Sequence, residues 1–129
     1  MNGYLLDTNA LLFALSVPER LSAEARTAVE SGPNILSVVS YWEAMLKSMK
    51  GKLDVGDPRA WWRDAAEQLA ATQLPLRAEH VAALHTLPPH HQDPFDRILV
   101  AQAIAEDLML ITSDAEIARY ADAGLRLIA

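Results

Sequence analysis

PFDRILVAQAIAEDLMLITSDAEIARYADAG (residues 94–124) contains the change of rhythm that decides the fold. Its first part reads as a helix: Asp93 suits the N-cap, Pro94 the first helical position, and Asp96 complements the dipole in the first turn. LMLITS (108–113) is a short uncharged apolar run, the pattern of a strand buried on both faces. DAEIARYADAG (114–124) returns to a helical pattern and ends on a glycine stop. A helix, a fully apolar strand and a second helix in succession belong to a parallel sheet covered on both sides.

The same alternation runs outward to both ends. GYLLDT (3–8) and NILSVVS (34–40) read as buried strands, TQLPL (72–76) as a short one and LRLIA (125–129) as the last. Between them lie the helical stretches NALLFALSV (9–17, ended by Pro18), LSAEARTAVESG (21–32), SYWEAMLKSMKGK (40–52), PRAWWRDAAEQLAA (58–71) and AEHVAALHTL (78–87). PPHHQ (88–92) is a loop. No repeat, low-complexity tract or Gly/Ser-rich linker divides the chain, so residues 1–129 are expected to form one domain. The expected fold is a three-layer α/β/α domain with a central parallel sheet of four or five strands.

Composition narrows the chemistry. Hydrophobic residues make up 51%, yet no apolar run approaches the ~18 residues that span a membrane. No export signal is evident, and the absence of cysteine removes disulfides, thiolate metal sites and thiol nucleophiles. Both features fit a reducing cytoplasm. The net charge of −6 opposes simple electrostatic attachment to nucleic acid, which normally needs a basic surface.

In open parallel sheets, ligands sit in the crevice at the carboxyl ends of the strands. Asp7 stands at the end of the first strand, Glu43 in the first turn of the helix after the second, and Asp93 and Asp96 open the helix after PPHHQ. Asp114 stands at the end of LMLITS. Each acid taken singly reads as a helix cap: Ser40 and Glu43 match a capping box, Glu43 can also pair with Lys47 at i+4, and Asp7 or Asn9 can cap the first helix. Taken jointly they point elsewhere, because Ser, Thr or Asn would cap equally well. Two carboxylates about 5 Å apart repel by roughly 3 kcal/mol at an effective dielectric of about 20. A cap contributes only about 1 kcal/mol. Such a cluster needs protons or a cation, and oxygen donors without cysteine favour Mg²⁺ or Mn²⁺.

Thr8, Asn9, Thr112 and Ser113 flank the acids and could orient them, capping being the alternative. His90 and His91 raise an imidazole metal site, although paired histidines in a Pro-rich loop are more often solvent-exposed. His80 and His85 read as surface or partly buried helix residues. Trp42, Trp61 and Trp62 read as helix-packing residues.

LLDTNALLFAL (5–15), SVVSYWEAMLKSMKGKL (37–53), HHQDPFDRILVAQA (90–103) and LITSD (110–114), in this order, closely resemble a PIN-domain ribonuclease of the VapC toxin family, over essentially the whole chain. The resemblance implies a parallel sheet with flanking helices and an acidic pocket binding Mg²⁺ or Mn²⁺. It implies endonucleolytic cutting of RNA, silencing by a cognate VapB antitoxin, and a homodimer. It places the family's acids on Asp7, Glu43, Asp96 and Asp114, with Asp93 a cap first and an auxiliary acid second. Asp7, Asp96 and Asp114 would hold one or two ions, and Glu43 would bind an ion or orient the attacking water. Thr8, Asn9 and Ser113 would be auxiliary. Lys47, with Lys50 and Lys52 beside it, and Arg97 are candidates to meet RNA phosphates, solvated helix face being the alternative.

Two rival readings stand beside this one. A haloacid-dehalogenase-like phosphatase or a receiver domain also places Asp after its first strand, but the former wants DxDxT where this chain has DTNAL. A catalytically silent PIN-like module would bind RNA or protein without cutting, and retention of all four acid positions argues against it.

Overall fold

The computed structural model describes residues 3–129. Five strands, β1 (Tyr4–Leu6), β2 (Asn34–Ser37), β3 (Ala71–Leu74), β4 (Met109–Ile111) and β5 (Leu127–Ile128), form one sheet in the order β3-β2-β1-β4-β5. Every pairing is parallel, with Leu5 opposite Ile35 on one side and Leu110 on the other. The helices are α1 (Thr8–Ser16), α2 (Ala23–Ser31), α3 (Val38–Met49), α4 (Pro58–Gln68), α5 (Ala78–Ala83), α6 (Pro94–Ala105) and α7 (Ala115–Ala118), with short 3-10 turns after α1, α5 and α7.

Side chains alternate across a strand, so neighbouring residues in β1 and β4 feed opposite cores. Leu6 and Ile111 join Leu11, Ala25, Leu36 and Trp62 beneath α1, α2 and α4. Leu5 and Leu110 join Leu99, Val100, Ile117 and Tyr120 beneath α6 and α7. This is the expected three-layer α/β/α domain. The two apolar faces explain why β1 and β4 carry no polar alternation. α3 packs against both α1 and α6 and so bridges the layers.

Gly3 feeds β1 with φ +128°, and a Cβ there would lie 2.8 Å from the Pro33 carbonyl oxygen. That carbonyl also accepts the Tyr4 N–H at 2.9 Å, so the backbone has no room to retreat. Gly3→Ala is expected to cost more than about 1 kcal/mol, read as a lower urea midpoint at unchanged slope.

Two readings are corrected by the structure. α3 begins at Val38, not Ser40, because the Ser37 hydroxyl accepts from the Val39 N–H at 3.0 Å and caps the helix earlier. No capping box therefore forms between Ser40 and Glu43, and Glu43 lies in the second turn. His80 is not a surface residue; it is fully buried. Its Nδ1 accepts from the Arg77 N–H at 3.0 Å, and its Nε2 lies 2.9 Å from Glu106. Burying the ring is tolerable because both nitrogens are engaged.

Candidate active site

Parallel strands end together, so the residues that follow β1, β2 and β4 gather on one rim. Asp7, immediately after β1, is 4% exposed. Its Oδ1 accepts from the Ala10 N–H at 2.8 Å, making it the α1 cap in place of Asn9. Asp114 follows β4 and caps α7, with Oδ1 accepting from the Glu116 N–H at 2.8 Å. Asp93 caps α6 by accepting from the N–H groups of Phe95 (2.8 Å) and Asp96 (3.3 Å). Asp96 is one turn further in, with a side chain 16% exposed. Three of these acids are thus caps and pocket residues at once, so either role alone accounts for only part of their placement.

The electrostatics show that the acids share one space. Burial pushes the Asp7 carboxyl up to about 6, against hydrogen bonds from Thr112 and Ala10, with Asp114 and Glu43 adding repulsion. Burial likewise pushes Asp96 up to about 7, reinforced by Asp93, Glu43 and Asp7 and opposed by His91. Burial would also raise Asp114, but hydrogen bonds from His91 and the Glu116 amide outweigh it and hold that carboxyl below its ordinary range. Glu43 Oε1 is buried and has no hydrogen-bond partner among the described residues.

A hard divalent cation fits this donor set. It would neutralise Asp7 and Asp96, which burial otherwise drives toward the protonated form, and would occupy the orphaned oxygen of Glu43. Thiolate ligands are missing, since the chain has no cysteine.

The surrounding residues fall differently from expectation. Thr8 is buried and its hydroxyl donates to Ser40 at 3.1 Å, which ties α1 to α3. Asn9 is exposed, and its Oδ1 accepts from Lys47 Nζ at 3.4 Å. Lys47 is therefore turned toward α1, and no Glu43–Lys47 pair forms. Ser113, next to Asp114, is exposed and lies beside Arg20, Ser22 and Ala129. Thr112 takes the orienting role, touching Asp7 and accepting from the Asp114 N–H at 3.1 Å.

Arg97 is another correction. Its Nη1 donates to the Pro88 carbonyl at 3.1 Å and to the Tyr120 hydroxyl at 2.9 Å, so the half-buried side chain pins the Pro-rich loop and is not free in solvent. The loop histidines are not solvent-exposed either. His90 Nε2 lies 2.7 Å from Asp122, with the ring edge-on to Tyr120. His91 Nε2 stands between Asp96 Oδ2 (3.1 Å) and Asp114 Oδ2 (2.9 Å). Burial lowers the His91 pKa, but Asp114, Asp96 and Asp93 outweigh it and raise the value above its ordinary one. The sequence raised His91 only as half of an imidazole pair and favoured solvent exposure; its place among the acids was signalled by nothing but its position two places before Asp93.

Trp61 and Trp62 pack with Tyr41, the Trp62 and Tyr41 rings stacked at 4.6 Å. Trp42, one residue before Glu43, is instead 56% exposed and meets Phe95 edge-on at 4.8 Å. Phe95 also lines a groove of about 430 Å³ with Glu43, Asp93, Lys47, Lys50 and Lys52. The basic patch and two of the acids thus share one depression.

A parallel α/β/α sheet with carboxylates gathered on one rim defines an acidic-pocket domain with a candidate metal site. The PIN domain family model matches residues 4–123, and the chain belongs to that family. It is 27% identical over 117 residues to Ribonuclease VapC22 of Mycobacterium tuberculosis, covering 88% of each chain. Among solved structures it shares the fold of VapBC2 from Rickettsia felis bound to a promoter DNA fragment (TM-score 0.72, 17% identity, 97% of this chain and 96% of that one). It also shares the fold of a toxin–antitoxin complex from Klebsiella pneumoniae (TM-score 0.65, 21% identity, 98% and 96%). No helix among the described residues is long and apolar enough to cross a membrane.

Proposed function

We propose that this chain is a metal-dependent endoribonuclease, the toxin of a toxin–antitoxin pair, which hydrolyses RNA phosphodiester bonds at Asp7, Glu43, Asp96 and Asp114. The observation that carries the reading is the buried carboxylate cluster on a PIN domain, with two of its acids strongly raised and an orphaned oxygen on a third. The similarity to a protein named as a ribonuclease supports the reaction class. The similarity to toxin–antitoxin complexes supports the biological pairing.

Asp7, Asp96 and Asp114 would hold Mg²⁺ or Mn²⁺, the ions suited to oxygen donors. When bound, such a cation supplies a water of lowered pKa and neutralises charge on the scissile phosphate. Glu43, through its unpartnered oxygen, would bind the cation or orient the attacking water. Asp93 keeps α6 and its first-turn acid in place, and Thr8 and Thr112 fix the elements that carry Asp7. No protein nucleophile takes part.

Lys47, Lys50 and Lys52 give the groove beside Glu43 a positive wall, the natural place for RNA phosphates in a chain of net charge −6. Lys47→Ala with Lys50→Ala is expected to weaken RNA binding at low salt. Each lost contact should reduce the slope of log affinity against log salt by about 0.7 for a single strand. A second copy of the chain is the proposed means of widening this small basic surface. A VapB-type antitoxin is the proposed inhibitor, its basic segment complementing the acidic pocket.

The deciding experiment is cleavage of structured RNA by the purified protein with Mn²⁺, Mg²⁺ or chelator. Cutting that needs the metal establishes the nuclease. Metal binding with no cutting across a broad panel of cellular RNAs would replace this reading with a silent binding module.

A further inference from the structure

We propose that His91 is a positioning residue whose Nε2 bridges two carboxylates, hydrogen-bonded to Asp114 and in close contact with Asp96, and that it is not itself a metal ligand. The inference rests on the reading of Asp96 as a cation ligand and adds to it the part played by the imidazole in its midst. By donor type and spacing, His91, Asp96 and Asp114 could form a three-point metal site. The hydrogen bonds of the ring argue the opposite.

Nδ1 of His91 accepts from the Asp93 N–H at 3.0 Å. Its lone pair is therefore engaged, and the ring proton belongs on Nε2. Nε2 is hydrogen-bonded to Asp114 Oδ2 at 2.9 Å and stands 3.1 Å from Asp96 Oδ2, a close polar contact. A ligating Nε2 would need its own lone pair, and so would move the proton to Nδ1. There it would point at the Asp93 N–H, donor against donor.

The loop holds the ring in this orientation. The His91 N–H donates to the Tyr120 hydroxyl at 3.0 Å, and Arg97 donates to the same oxygen at 2.9 Å. Asp93 N–H fixes the far edge of the ring, and Asp93 is itself fixed as the α6 cap. The bridge in turn gives Asp114 a partner for each oxygen: Glu116 N–H on Oδ1 and His91 on Oδ2. Asp96 lies against the same nitrogen through Oδ2.

The device also bears on metal choice. An imidazole ligand would favour zinc, nickel or copper, whereas oxygen donors favour Mg²⁺ and Mn²⁺. Keeping the His91 lone pair on Nδ1, turned to Asp93, leaves the site with oxygen donors only.

Two-bond ¹H–¹⁵N correlation spectra of the imidazole rings read the tautomer directly. The proposal expects a protonated Nε2 on His91 in the metal-free protein, retained when Mg²⁺ saturates the site. A deprotonated Nε2 in either state, or its loss of the proton on Mg²⁺ addition, would overturn it in favour of ligation. Calorimetric Mg²⁺ affinity supplies the second readout. His91→Leu is expected to weaken Mg²⁺ by about 10–100-fold, the usual effect of losing an outer partner of a ligand. His91→Gln, whose amide N–H can reach the place of Nε2, is expected to recover most of that loss. Leu matching wild type, or Gln failing as Leu does, rejects the bridge. A wild-type protein that binds no Mg²⁺ refutes the metal reading itself, while the metal-free tautomer still tests the bridge.

Discussion

Asp96→Asn is expected to abolish metal-dependent RNA cleavage while making the metal-free protein more stable. The two effects share one cause. Burial and the acids Asp93, Glu43 and Asp7 push the Asp96 carboxyl up to about 7, so its anion is the costly form of the folded state. Asparagine keeps the shape and removes both the charge and the ligand. The loss in kcat/KM should exceed about 100-fold, beyond the roughly 10–100-fold typical for residues that only support a ligand. The neutral side chain forfeits the favourable dipole interaction in the first turn of α6, worth about 0.3–1 kcal/mol. That is smaller than the relief of a buried anion at pH 8, so the thermal midpoint without metal should rise. Single-turnover cleavage and a melting curve of the same preparation check both halves. Wild-type rates in the variant would remove Asp96 from the chemistry.

The second large effect is a loss of stability with rising pH that metal offsets. Asp7 and Asp96 are raised from 3.8 to about 6 and about 7 in the folded chain. Below about pH 4 both states hold these protons and nothing is lost. As pH rises, the unfolded chain ionises first, so stability declines until the folded groups have titrated near pH 7. A tenfold difference in proton affinity between the folded and unfolded chain corresponds to about 1.4 kcal/mol, so the two groups together cost on the order of a few kcal/mol at pH 8. Asp114, held below its ordinary range, acts with the opposite sign, but its contribution is lost only as pH falls into the acid range. Mg²⁺ or Mn²⁺ requires the ionised acids, and at 100 times its Kd adds about 2.7 kcal/mol. The metal-induced rise in thermal midpoint should therefore be small at pH 5 and several degrees at pH 8. Melting curves at both pH values, with metal and with chelator, measure it; a larger metal effect at pH 5 would contradict the assignment.

Much of this was legible in the chain. The sheet followed from short uncharged runs such as LMLITS, since strands buried on both faces have no other reading. The rim acids followed from their junction positions, where a cap alone would not demand a carboxylate. The start of α3 falls earlier than the pattern suggests because Val38 and Val39 are β-branched and extend the strand rhythm, whereas a single Ser37 hydroxyl bond turns the backbone sooner. The residues whose surroundings were misjudged depend on distant partners. His91 is drawn into the pocket by Arg97 and Tyr120, the latter 29 positions away. Arg97 is adjacent to Asp96 in sequence yet faces the loop. His80 needs Glu106, 26 residues on, to be buried at all. No local window of sequence contains those pairs.

The strand order has a kinetic corollary. Asp7, Glu43 and Asp114 follow β1, β2 and β4, the three inner strands, while β3 and β5 lie at the margins, β5 joined through two residues. Sheet margins fray by local opening, whereas inner strands exchange their amide hydrogens only when much of the domain unfolds. In mild denaturant the amides of β3 and β5 should exchange early, with those of β1 and β4 surviving to the global limit. The pocket is thereby mounted on the part of the chain that opens last, insulated from breathing at the borders.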